Sequence, residues 1–213
     1  MKLEIGSKLI VFRDSEDAAC GGRLPVILAH GRAFGSGEHE TTRSCLEELE
    51  AVFLSPGSNV LDLGCGTGIL SVAAARMGAR QVIALDPCPN AIAATRATIR
   101  LNGMETVVFL VQGDLSAIRR VHFDLILANL YGDILLRSAA AIASLLAPDG
   151  TLVASGLQYE DAYDAQDSFT RAGCNVLKTR YLEDYCTIVF GKVRNCPIAE
   201  RRPDASPEGE PGD

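Results

Sequence analysis

Residues 59–70, Asn-Val-Leu-Asp-Leu-Gly-Cys-Gly-Thr-Gly-Ile-Leu, leave this chain few folds to choose from. An apolar run over 60–63 stops at three glycines on alternate positions, Gly64, Gly66 and Gly68, and an apolar helical pattern begins at once with Ile69. The order is strand, tight turn, helix. Glycine is needed where the backbone takes positive φ or comes within contact distance of a ligand, and the first amides of the following helix face the same spot. A nucleotide-like ligand is the expected occupant.

From Ser58 onward strands and helices alternate. Periodicity predicts strands over 60–63, 82–85, 107–111, 123–128, 151–154, 175–181 and 186–190, and helices over 69–77, 89–102, 134–146 and 160–172. The early strands are short continuous apolar runs, as in a parallel sheet covered on both faces. The last two strands meet at a turn holding Glu183-Asp184, with no helix between them, so one runs antiparallel to its neighbour. The expected fold is α/β, a Rossmann-like doubly wound sheet of seven mostly parallel strands with the last antiparallel and helices on both faces.

Residues 1–28 hold three short runs, Leu3-Glu-Ile, Leu9-Ile-Val-Phe and Leu24-Pro-Val-Ile-Leu, which read as a small β appendage. The main domain is expected over 29–192. Beyond it, residues 193–213 combine proline, glycine and charge without periodicity, the composition of a disordered tail. Just before the central strand stands Gly31-Arg-Ala-Phe-Gly-Ser-Gly-Glu-His-Glu-Thr-Thr-Arg, leading into a helix over 40–53. A loop of this composition is suited to close over a ligand.

The length of 213 residues and 47% hydrophobic content suit one substantial domain, and the net charge of -7 argues against a protein whose main task is to grip a phosphate backbone. Seven cysteines is an odd number and none are spaced C-x-x-C, so they read as reduced thiols of a cytosolic protein. No residue set has metal-ligand spacing. Nothing reads as a secretory leader or a membrane span, and a soluble, cytoplasmic protein is expected.

In an open α/β sheet the ligand lies beyond the carboxyl ends of the strands, where the strand order reverses. Four strand ends carry polar residues that can meet there. The first offers Gly64, Gly66 and Gly68. The second offers Asp86, 22 positions after Gly64, where an acidic residue accepts from ribose hydroxyls. The third offers Asp114, a candidate acceptor for an adenine amine, and the fourth Asn129. Asp62, at the end of the first strand, is expected to accept from amides of the glycine loop; His30 and His122 read as structural. An adenosine ligand fits the set. The spacing G-x-G-x-G differs from the dinucleotide pattern G-x-G-x-x-G.

Val-Leu-Asp-Leu-Gly-Cys-Gly-Thr-Gly resembles the first motif of class I S-adenosylmethionine-dependent methyltransferases. More of the chain resembles a narrower group, the ribosomal large-subunit protein eleven methyltransferase (PrmA) family. Its loop L-D-P-G-x-A-F-G-T-G-x-H-x-T-T is matched here by residues 28–42, Leu-Ala-His-Gly-Arg-Ala-Phe-Gly-Ser-Gly-Glu-His-Glu-Thr-Thr. Asn129-Leu-Tyr-Gly stands for the family's N-I-x-A, Ser155-Gly-Leu for its S-G-I-L, and Asp184-Tyr-Cys-Thr-Ile for its E-W-C-x-I. The similarity spans about residues 8–192.

That resemblance implies S-adenosyl-L-methionine as cofactor. It implies contacts from Thr42, Gly64, Asp86 and Asn129, and a lid of Phe34, Gly35, Gly37 and His39. It also implies a protein substrate, ribosomal or otherwise, rather than nucleic acid or membrane. The departures are Ala29-His30 for Asp-Pro, glutamates on both sides of His39, Leu130-Tyr131-Gly132-Asp133 after Asn129, and the family's N-terminal recognition domain, which has no counterpart here.

An in-line attack on the sulfonium methyl needs positioning and exclusion of water more than acid or base chemistry. A lysine nucleophile, with reference pKa about 10.4, must first lose a proton, which desolvation favours. Asn129 is the candidate to orient that amine, Tyr131 a neighbouring wall, and His39 a candidate proton acceptor. Three classes remain open at this point: a protein amine methyltransferase, a methyltransferase for a small molecule or nucleic acid, and a nicotinamide oxidoreductase or non-catalytic binding module.

Overall fold

The computed structural model describes residues 2–13, 20–30, 33–52, 57–119 and 121–193. The N-terminal runs form β1 (Lys2–Ile5), β2 (Leu9–Arg13) and β3 (Leu24–Leu28), a three-stranded sheet in which β1 and β2 are antiparallel and β2 and β3 parallel. Helix α1 (Glu40–Ala51) follows. The alternating region then gives β4 (Asn59–Leu63), α2 (Ile69–Arg76), β5 (Gln81–Asp86), α3 (Pro89–Leu101), β6 (Val108–Gln112), a 3-10 turn at Leu115–Ala117 and β7 (Phe123–Asn129). It closes with α4 (Gly132–Leu145), β8 (Leu146–Gln158), α5 (Asp161–Arg171), β9 (Cys174–Tyr181) and β10 (Tyr185–Lys192).

The seven strands are ordered β6-β5-β4-β7-β8-β10-β9. All neighbours are parallel except β10, which runs antiparallel to both β8 and β9, so the expected doubly wound sheet with its reversed final strand is the observed one. Strand order reverses between β4 and β7, and ligands of such sheets sit at that point.

Strand β8 is longer than expected. Pro148-Asp149-Gly150 reads as a turn, yet the strand runs through it as an irregularity: Phe123 faces Leu146 while Leu125 already faces Thr151, and Asp149 takes φ 63°. Helix α1 ends at Ala51; position 53, where the expected helix stopped, lies outside the described residues, as does all but the first residue of the tail expected over 193–213.

Alternation along each strand divides the core into two. Val60, Leu125 and Val153 face one layer, built with Leu46 and Leu49 of α1 and Val72 of α2; Leu61, Ile126 and Leu152 face the other, built with Leu135 and Ile142 of α4 and Phe169 of α5. The three-stranded sheet shares the first layer through Ile5, Leu9, Val11 and Val26, since three short strands cannot bury a core alone. Glu50 fastens it to α1: its carboxylate accepts from the backbone N–H groups of Ser7 (2.8 Å), Lys8 (2.9 Å) and Leu9 (2.8 Å). Among the described residues no helix is long and apolar enough to cross a membrane.

Candidate functional site

The glycine turn is held almost wholly by main chain. Gly64 N and Cys65 N both donate to the Leu85 carbonyl (2.8 and 3.1 Å), Gly68 N donates to Cys65 O (2.7 Å), and Thr67 N donates to Phe34 O (3.0 Å). Gly64, Gly66 and Gly68 have φ of 76°, 54° and 81°, the left-handed region that side chains resist. A Cβ on Gly66 would run into the Phe34 carbonyl, so glycine there is a condition for the lid to lie against the turn.

Asp62 does not serve these amides. Alternation puts it on the same face as Val60, under α2, where Oδ2 accepts from the Ser71 hydroxyl and the buried Oδ1 has no hydrogen-bond partner among the described residues. Burial pushes its carboxyl up to about 7, against the opposing effect of the Ser71 hydrogen bond. The remaining loop amide, Gly66 N, goes instead to Asp86 Oδ2 (3.1 Å), while Cys88 N donates to Asp86 Oδ1 (2.9 Å). Each oxygen keeps acceptor capacity.

A cavity of ≈ 880 Å³ lies at the carboxyl edge of the sheet, over the reversal of strand order. Gly64 and Gly66 line it from the turn, and Asp86, Pro87 and the small residues Ala91 and Ala94 of α3 line the β5 side. Asn129, Leu130, Tyr131 and Tyr185 line the opposite side, with Phe34 and His39 from the lid segment. A carboxylate with two acceptor oxygens suits a vicinal diol, alanine and proline suit a flat base, and the glycines admit close backbone approach. These residues fit an adenosine-type cofactor such as S-adenosylmethionine.

Seven of the expected site residues line the cavity: Phe34, His39, Gly64, Gly66, Asp86, Asn129 and Tyr131. The others act from behind it. Thr42 Oγ1 accepts from Asn129 Nδ2 (3.1 Å), which turns the amide and leaves its Oδ1 without that duty. Gly35 O accepts from the Thr67 hydroxyl (2.6 Å), joining lid to turn; Gly37, at φ 84°, packs beside Ile69, and Gly68 is the N-cap of α2.

Besides Asp62, two expectations need correction. Asp114 is exposed and outside the cavity wall: the chain turns after β6 into the 3-10 helix, Oδ1 accepts from Ser116 N (2.8 Å), and the Ser116 hydroxyl and N–H together lower its pKa. His39 is the N-cap of α1. Its Nδ1 accepts from Thr41 N (3.4 Å) and meets Thr41 Oγ1 at 2.8 Å. Thr41 thus occupies Nδ1 on the cap side, and that nitrogen is not open to a substrate proton. The ring instead sits edge-on between Phe34 (5.3 Å) and Tyr185 (5.5 Å).

Tyr185, Gly156, Leu130 and His30 also line the cavity and were not among the expected site residues. Tyr185 and Gly156 stand inside two of the matched motifs, which was the available signal. Tyr185 is placed by Glu40, whose carboxylate accepts from Glu183 N (2.7 Å) and Asp184 N (3.0 Å) and so ties the β9–β10 turn to the start of α1.

Residues 2–193 match the family model described as Ribosomal protein L11 methyltransferase (PrmA). The ribosomal protein L11 methyltransferase of Geobacillus thermodenitrificans (strain NG80-2) is 37% identical over 176 residues, covering 83% of this chain and 56% of that protein. The corresponding protein of Geotalea daltonii is 36% identical over 189 residues, covering 84% and 60%. The chain thus spans a little over half the length of these curated relatives. The crystal structure of a ribosomal protein L11 methylase from Lactobacillus delbrueckii subsp. bulgaricus superposes with a TM-score of 0.82 at 25% identity, covering 91% of this chain and 99% of that one. A family match that takes in every described residue, on a sheet whose glycine turn, Asp86 and Asn129 converge on one cavity, means that this chain belongs to the ribosomal protein L11 methyltransferase (PrmA) family.

Proposed function

We propose that the chain is an S-adenosylmethionine-dependent protein N-methyltransferase that acts on amines, of lysine side chains or an N-terminus, with ribosomal protein L11 as its first candidate substrate. The observation that carries this reading is the sharing of one cavity by an adenosine-type half, Gly64, Gly66 and Asp86, and an Asn129 amide oriented by Thr42. The catalytic unit is assigned to residues 29–192, and a cytoplasmic location goes with such a substrate.

Asp86 would hold the ribose hydroxyls, and Gly64 and Gly66 would let the backbone close on the cofactor. When bound, the cofactor supplies an electrophilic methyl on a sulfonium sulfur. The chain supplies position. Thr42 Oγ1 accepts from Asn129 Nδ2, so Oδ1 is the atom left to accept from an incoming amine N–H and aim its lone pair. Tyr131 and Tyr185 wall the acceptor side, and Phe34 meets the His39 ring edge-on to restrict water. A less hydrated setting favours the neutral amine over the ammonium. In this role His39 shapes the lid, and the ammonium gives up its proton to solvent as the amine enters the cavity.

Transfer of labelled methyl from S-adenosylmethionine is the test, first into purified ribosomal protein L11 and then into a cell lysate resolved into protein, nucleic acid and small molecules. Label in protein, released by hydrolysis as an N-methylated amino acid, is expected. Label confined to nucleic acid or small molecules overturns the substrate class.

A further inference from the structure

All five tyrosines of the chain stand in one corner of the fold. Tyr131 follows β7, Tyr159 follows β8, Tyr163 lies in the first turn of α5, Tyr181 ends β9 and Tyr185 opens β10. Strand register gathers them, for Tyr185 pairs opposite Gln158 and Cys186 opposite Tyr181. Tyr159 meets Tyr181 edge-on at 5.6 Å and donates its hydroxyl to Glu183 O (2.8 Å). The corner opens into the cavity, because Tyr131 and Tyr185 line both.

These rings are not core. Tyr131, Tyr163 and Tyr181 are 73%, 77% and 63% exposed, an unusual concentration of aromatic surface for a soluble domain. Around them stand Glu160, Asp161, Asp164, Glu183 and Asp184, none of which forms an ion pair among the described residues, whereas Asp133 pairs with Arg137 and Arg180 turns to Glu47 and Glu48. The dipole of α5 accounts for Asp161 and Asp164, but for none of the tyrosines and for neither Glu183 nor Asp184. Bare tyrosine faces attract ammonium groups, and unpaired carboxylates steer cations while repelling phosphate chains.

We infer that this corner docks a lysine-rich segment of the protein substrate and leads one of its lysines past Tyr131 and Tyr185 into the cavity. The inference rests on the protein-methylation reading above and adds the surface that selects the substrate. The tyrosines hold the lysine stems and ammonium heads, and the carboxylates set the charge sign of the partner.

The test uses the full chain and two variants: Tyr163→Ser with Asp164→Asn, and these two with Tyr181→Ser and Glu183→Gln. All four side chains are exposed, and none lines the cavity. Thermal melting checks that both variants fold. A fluorescein-labelled oligolysine peptide, followed by anisotropy, is expected to bind the parent chain more weakly as salt rises and to bind the larger variant about tenfold more weakly, with the smaller variant between. The KM for ribosomal protein L11 is expected to rise in step, with kcat and the calorimetric affinity for S-adenosylmethionine unchanged. Equal peptide binding by parent and variants overturns the docking surface, as does tighter binding of a single-stranded RNA oligonucleotide than of the peptide. Methyl transfer with an unmoved KM sinks the surface and leaves the activity standing. Variant-sensitive peptide binding with no methyl transfer to any protein does the reverse.

Discussion

On the β4–β6 side of the cavity the walls are made largely by main chain: three glycines at positive φ, their amides bound to Leu85 O, Asp86 and Cys65 O, and one lid carbonyl, Phe34 O, seated on Thr67 N. On the β7–β10 side they are made by side chains brought from four elements, with Asn129 from β7, Tyr131 at the start of α4, Tyr185 from β10, and Thr42 of α1 behind them. A site made of backbone accepts few substitutions and recognises one invariant ligand. A site made of side chains from separate elements can be rewritten residue by residue, which suits the half that meets the acceptor on the proposed reading. Each half should therefore fail separately.

The largest separation is expected at Asn129. Removing a positioned polar group at a reacting centre costs about 10²–10³ in kcat, so Asn129→Ala should lose turnover on that scale while S-adenosylmethionine affinity changes only a few-fold. Stopped-assay kinetics beside calorimetry measure both. Equal losses in the two would merge the halves and remove Asn129 from the acceptor side.

Asp86→Asn is the converse. Its carboxylate anchors Gly66 N and Cys88 N and offers its remaining lone pairs to the cavity. Losing a charged hydrogen-bond acceptor should weaken cofactor binding by about 1.5–3 kcal/mol, with kcat at saturating cofactor within a few-fold of the parent. A kcat deficit at saturation as deep as that of Asn129→Ala would mean that Asp86 also positions the reacting atoms.

The same division governs how much could be read before the fold was known. The backbone half is encoded locally: one run of twelve residues, and an aspartate at the end of the next strand, each carrying its own stereochemical reason. The parallel order and the reversed last strand follow from alternating helices and from the missing helix before residue 186. The side-chain half is assembled from distant pieces, and its errors are errors of partnership. His39 reads as a base until Thr41 is seen to occupy Nδ1. Asp114 reads as a base-binding acid until its carboxylate is seen to cap a turn. Tyr185 stands within a matched motif, yet the pairing of β10 with β8 and the Glu40 clamp on the preceding turn are what bring it to the cavity. Asp62 fails for a different reason: strand alternation was available and would have put it beneath the sheet, beside Val60.

Asp62 tests what lies under the backbone half. Its folded-state pKa, raised from 3.8 to about 7 by burial, lies above the unfolded value, so the stability tied to its proton is fully present below about pH 4 and is lost as pH rises to 7. A shift of this size sets a ceiling of about 4 kcal/mol, and relaxation around the ionised group should leave about 2. An amide does not titrate and can still accept from Ser71. Asp62→Asn should therefore gain on the parent between about pH 4 and pH 7, read as urea midpoints that diverge across that range with unchanged slopes. Parallel curves would mean that the carboxylate ionises at little cost and that the turn does not rest on a protonated acid.

Glu40 gives the smallest effect and the finest test, because it joins the two halves at the lid. Its carboxylate sits in the first turn of α1, directly after the His39 cap, and holds two amides of the β9–β10 turn. Partly exposed hydrogen bonds of this kind contribute about 1 kcal/mol together with the favourable helix-end charge. Glu40→Ala should thus lower the melting temperature by a few degrees. Freed of this tie, the turn lets Tyr185 leave the His39 ring, so the KM for the acceptor should rise a few-fold while cofactor affinity holds. Glu40→Gln keeps one acceptor oxygen and should fall between. If cofactor affinity dropped as much as acceptor affinity, the lid would be transmitting the disturbance through Phe34 to the glycine turn, and the two halves would behave as one mechanical unit.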